Sequence, residues 1–142
     1  MTTEQAVKAC YAKWRDLKGR AQRSEFWQFY MLVTVMVMVS KAADEWLSET
    51  AGLRFSVFYL AVVLATLLPI ISCAVRRYHD IGLSGWLLLI WSAAFVAPAF
   101  SFSEETAFIV TCVLFLAFLI TFALPSQPGS NKYGPNPQEA RQ

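Results

Sequence analysis

Apolar positions along this chain fall in long, nearly unbroken runs rather than at the spacings of a helix lying on a soluble core. Four runs can be traced, over 26–43, 55–75, 86–102 and 106–125. A soluble helix keeps a polar stripe along its outer face, and the last three runs have none. At about 1.5 Å per residue, runs of about 17 to 21 residues match a hydrocarbon core about 30 Å thick. The pattern predicts an all-α membrane protein with four transmembrane helices. Ahead of them, Val7, Cys10, Tyr11, Trp14 and Leu17 recur at spacings of three and four, with Lys8, Lys13 and Arg15 largely elsewhere. That pattern predicts an amphipathic interfacial helix over 3–18, lying on the inner leaflet or packed beneath the bundle.

Local signals punctuate this plan. Thr2 with Gln5 offers a capping box, and Gly19 a left-handed stop for the first helix. Ser24 is placed to cap the first span, with Glu25 in its first turn, where the helix dipole favours an anion. Trp27, Tyr30, Trp46, Trp86 and Trp91 fall at interface depths. Pro69 and Pro98 are candidate kinks, and Ala61 with Ala65 and Ala93 with Ala97 are small pairs suited to close helix packing. The tail, 126–142, is rich in Pro, Gly, Asn and Ser and predicts turns. No repeat or second domain is visible, so residues 1–142 read as a single integral-membrane domain.

Composition agrees with a bilayer as solvent: the 142 residues are 56% hydrophobic and 15% charged, against about 25% charged in ordinary soluble domains. Lys and Arg then orient the chain. Ten lie before the first span, between the second and third, or in the tail; only Lys41, near the far end of the first span, and Arg54 fall on the other side. The positive-inside rule puts both termini in the cytoplasm. The opposite loops, 44–54 and 103–105, carry Asp44, Glu45, Glu49, Glu104 and Glu105. The charged stretch preceding the first span argues against a cleaved leader.

On this topology three polar blocks meet the cytoplasm: GRAQRSEFW (19–27), the charged loop RRYHDIGLSGW (76–86) and NKYGPNP (131–137). Arg20, Arg23, Arg76 and Arg77 outnumber Glu25 and Asp80 by two charges. Ser84 and Gly85 add the start of the third span, whose N–H groups suit a phosphate or carboxylate. Two uses follow. The cluster can bind anionic phospholipid head groups, or Glu25 and Asp80 can pair with arginines of the other block and lock helices together. His79 reads as a hydrogen-bonding structural residue, with a pH switch as the alternative. Trp27, Trp86 and Tyr133 complete the cytoplasmic motif.

Several chemistries are disfavoured. His79-Asp80 resembles the metal signature of HD-type phosphohydrolases, but the chain has one histidine and that chemistry needs several ligands. Cys10, Cys73 and Cys112 have no CxxC spacing and fall at different predicted depths, so they read as packing residues, with neither disulfide nor metal site expected. Ser84 lies five residues from His79 without a nucleophile elbow. No enzyme activity, cofactor or nucleic-acid partner is expected. The absence of Asp, Glu, Lys, Arg and His from the last three predicted spans disfavours coupled transport.

The three blocks, through Gly19, Arg20, Arg23, Glu25, Phe26 and Trp27, then Arg76, Arg77, His79 to Gly82 and Ser84 to Trp86, then Tyr133 to Pro135 with Pro137, resemble the YhaH-like bacterial inner-membrane proteins. Leu83 stands where a polar or basic residue is common there, and Asn136 where Asp is. The resemblance implies a small multi-span inner-membrane protein and brings no substrate. The expected function is a structural or interaction module whose basic face meets the lipid bilayer, a membrane-protein partner or a second copy of the chain. The alternative is a small oligomeric channel or transporter, which would need a polar cavity lined by Ser56, Thr66, Ser72, Ser92 and Thr111.

Overall fold

The computed structural model describes residues 1–52 and 56–139. Arg54, Arg141 and the predicted start of the second span at Phe55 lie outside them. The described residues are helical, without strands: α1 (Thr3–Ala12), α2 (Arg23–Ala51), α3 (Val57–Asp80), α4 (Leu87–Val96), α5 (Pro98–Ser101) and α6 (Glu104–Ala123). Of these, α2, α3 and α6 are long and apolar enough to cross a membrane. The chain forms two compact units, Met1–Leu17 with Ser24–Cys73, and Lys18–Arg23 with Ala74–Gln142.

In the first unit, Thr2 and Gln5 form the expected capping box. Ala6 and Cys10 supply the buried face of α1, four residues and so about one turn apart. Tyr11 sets its ring edge-on to Phe29 at 5.9 Å and donates its hydroxyl to the Ala65 carbonyl at 3.4 Å. The helix stops at Ala12 rather than running to Lys18. Beyond it, the Ser72 hydroxyl lies 2.7 Å from the carbonyls of both Lys13 and Asp16, donating to one or the other, and so serves groups that a continuing helix would have satisfied itself. Gly19, at φ +80°, therefore shapes a later turn instead of ending this helix. Ser24 lies inside α2, which starts at Arg23, so its expected capping role does not arise.

At its other end α2 runs on to Ala51. Asp44, expected in an outward loop, is buried in the helix. Its carboxylate accepts the N–H groups of Phe58 at 3.1 Å and Tyr59 at 2.8 Å, capping the positive end of α3 from a distance in sequence.

In the second unit, α3 continues to Asp80, so Arg76, Arg77, His79 and Asp80 are helical rather than part of a loop. The helix ends in a Schellman motif: Leu83 N–H donates to the Tyr78 carbonyl at 2.9 Å and Gly82 N–H to the His79 carbonyl at 3.1 Å, with Gly82 at φ +80°. The predicted third span is divided into α4 and α5 at Pro98, which has no N–H to continue the ladder. Together Leu87–Ser101 are shorter than the other three apolar helices. Both pack on α6, with Trp91 and Phe95 each 5.6 Å from the Phe118 ring. Phe122 continues this aromatic contact to Tyr78 at 4.8 Å.

Candidate functional site

The last turn of α3 is where two of the three polar blocks and part of the first meet, all within the second unit. Asp80 lies at the helix C-terminus, where the dipole alone disfavours an anion by roughly 0.3 to 1 kcal/mol. Two arginines reverse that balance. Arg20 Nε donates to Asp80 Oδ1 at 2.9 Å and Arg77 Nη1 to Oδ2 at 2.5 Å, with all three side chains 0% exposed. The Ser126 hydroxyl also donates to Oδ2, at 2.5 Å.

One carboxylate cannot neutralise two guanidinium groups, and backbone carbonyls take up the remainder. Arg20 Nη1 donates to Gly129 O at 2.8 Å and Gly134 O at 3.3 Å. Its Nη2 donates to Gln127 O at 2.5 Å and Asp80 O at 3.3 Å. Arg77 Nε donates to Phe122 O at 3.2 Å and Nη2 to Leu124 O, both at the C-terminal end of α6, whose dipole presents partial negative charge there. Arg77 thus caps α6 while Arg20 gathers the tail. Main-chain bonds reinforce both: Ala21 N–H to Arg76 O and Gln127 N–H to Asp80 O, each at 3.0 Å.

His79 and Tyr133 hold the outer edge. Their rings stack at 3.7 Å and 5°. His79 Nδ1 lies 3.2 Å from the Gly19 carbonyl, a geometry that requires a proton on Nδ1. Asn131 donates its amide to the His79 carbonyl at 2.9 Å and accepts Tyr133 N–H on its side-chain oxygen at 2.9 Å. Asn136 makes the same kind of turn with Gln138 N–H at 3.0 Å. The tail is accordingly a folded clasp over the end of α3, tied by one isolated bridge between Asn131 and Gly134.

The other expected site residues are placed differently. Arg76 is buried, whereas Arg23 is exposed, with Nη1 3.5 Å from Ala123 O. Ser84 Oγ accepts the Trp86 N–H at 3.4 Å. The N–H groups of Leu87, Leu88 and Leu89 already donate to the carbonyls of Ser84, Gly85 and Trp86, so this helix start does not offer the donors expected for an anion. Gly85 instead admits Val75, whose Cγ1 would stand 2.7 Å from a Cβ there. Trp86 is 74% exposed. Trp27 belongs to the first unit, in an aromatic group with Phe26 and Tyr30.

Glu25 is also in the first unit, buried at the start of α2. It stands beside Cys10 and Cys73, the three presenting ligand atoms all within 4.8 Å of one another. The expectation of thiols scattered at different depths fails for this pair; only Cys112 is exposed. Ser126 was not singled out in the sequence, and Asn131 and Asn136, within the third polar block, had no assigned role. The asparagines had a signal, since Asn two residues ahead of a turn amide favours an Asx turn, but Ser126 had none.

The comparisons with known proteins agree with this picture of a membrane chain. The chain is 30% identical over 121 residues to the inner membrane protein YhaI of Escherichia coli strain K12, covering 84% of each. It is 25% identical over 124 residues to the inner membrane protein YhaH of the same strain, covering 85% of this chain and 86% of that one. No solved structure matches it. Residues 14–135 match the family described as protein of unknown function DUF805, and the chain, a membrane protein with long apolar helices, belongs to that family.

Proposed function

We propose that the protein is a four-pass inner-membrane module without enzymatic activity, its termini both cytoplasmic, that presents a rigid cytoplasmic platform to a membrane-protein partner or a second copy. The carrying observation is that Arg20 meets both the buried Asp80 carboxylate and the Gln127 carbonyl. Arg20 precedes α2, Asp80 ends α3 and Gln127 follows α6, so all three belong on one side of the bilayer. An even number of crossings must then separate Arg20 from Gln127. With α2 and α3 as one pair, α6 needs a return partner, and Leu87–Ser101 is the remaining apolar segment. Its 15 residues run about 22 Å, a mismatch that local bilayer thinning accommodates at modest cost. The Lys and Arg distribution selects the cytoplasm for the platform side.

Contact with anionic lipid forms part of this reading, but its residues change. Arg20 and Arg77 have their donors engaged by protein, whereas Lys13 and Arg15, just after α1, are exposed. Each such charge near an anionic leaflet contributes roughly 1 kcal/mol, and α1 is the element to lie along that surface. The channel alternative receives no support from four of the five hydroxyls it needs. Thr66 and Ser92 donate to carbonyls one turn back in their own helices, Ser72 serves the end of α1, and Ser56 sits among Val57, Leu60, Ala61 and Leu64.

A photo-crosslinking residue placed at Lys132 or Trp86 in native membranes tests the platform. Discrete adducts from these positions, and none from Ser48, are expected. Absence of any discrete adduct, together with solute flux in proteoliposomes, would favour the channel instead.

A further inference from the structure

Cys10, Glu25 and Cys73 come from three different helices, α1, α2 and α3, yet their side chains converge in the interior of the first unit. All three residues are buried, the cysteines at 0% and Glu25 at 5% exposure. From these positions we propose a metal site: two thiolates and a carboxylate that bind one zinc-like divalent cation and clasp α1 onto α2 and α3.

The donor set determines the class of cation. Two thiolates favour a borderline or soft metal over magnesium or calcium, which take oxygen ligands. The carboxylate disfavours copper(I), for which thiolates alone serve better. Zinc accepts both donor types in tetrahedral geometry, with sulfur at about 2.3 Å and carboxylate oxygen at about 2.0 to 2.2 Å. Two sulfurs held so stand about 3.8 Å apart. Donors already within 4.8 Å of one another reach that geometry through small side-chain rotations, with a water or small exogenous ligand in the fourth position. Binding releases the two thiol protons, so affinity rises with pH. The inference is independent of the platform reading, which concerns the other unit.

Cobalt(II) is the probe. Full-length protein in neutral detergent, reduced with a phosphine and stripped of metal, is titrated with cobalt alone. The expected result is one cobalt per chain, a thiolate-to-cobalt charge-transfer band, displacement by zinc and a zinc-dependent rise in melting temperature. Cys10→Ser and Cys73→Ser should each lose at least half of that band, Glu25→Gln should weaken binding while retaining thiolate absorption, and Cys112→Ser should change nothing. Absence of the band in folded wild-type protein overturns the proposal even where the serine variants fail to fold. Persistence of the full band in Cys10→Ser or Cys73→Ser, or its loss in Cys112→Ser, overturns it equally.

Discussion

Asp80 receives two guanidinium groups and a hydroxyl in a site closed to solvent, so its charge cannot be removed without stranding its partners. Asp80→Asn keeps the shape and deletes the charge. Breaking a buried ion pair from one side costs roughly 3 to 5 kcal/mol, and a marked fall in melting temperature in detergent is expected. A shift no larger than that of an exposed control such as Glu45→Gln would mean that the cluster is not an energetic centre. Gly82 makes a separate contribution through its left-handed backbone. Gly82→Ala should cost roughly 1 to 2 kcal/mol and also displace the Gln127 side chain, which lies 2.2 Å from the position of an added Cβ. Gly82→Asn should cost less, because Asn tolerates this conformation better. Equal melting temperatures for the two variants would remove the backbone explanation.

At the level of elements, the ends of helices were harder to read than their middles. The apolar runs located α2, α3 and α6 because length in a bilayer is a property of consecutive residues. Their boundaries moved wherever polar residues found partners far along the chain. α3 absorbs Arg76 to Asp80 because Arg20 and the tail bind its last turn, and α2 absorbs Asp44 because that carboxylate caps α3. α1 ends early where Ser72 meets the carbonyls beyond it. Ser72→Ala should cost about 1 kcal/mol and speed proteolysis around Asp16, leaving the Arg20–Asp80 cluster intact. Limited proteolysis with mass mapping decides this; unchanged cleavage near Asp16 would show that the hydroxyl does not hold the segment.

For the whole molecule, the four-pass arrangement we propose would put Ser48 and Ser130 on opposite sides of the membrane. In a background without native cysteines, an impermeant thiol reagent applied from outside should label Ser48→Cys and not Ser130→Cys. Labelling of Ser130→Cys alone would invert the orientation, and labelling of both would remove the four-pass count.

The sequence by itself determined the solvent of this protein, the position of its long apolar helices and the residue types gathered at the end of α3. Those depend on hydropathy and charge summed along neighbouring positions. Tertiary structure decided which charges pair, that the Pro- and Asn-rich tail folds back as a clasp, and that Cys10 and Cys73 lie beside Glu25. The physical reason is that a buried charge or thiol takes its character from groups within a few ångströms, and those groups lie 60 residues apart for Arg20 and Asp80.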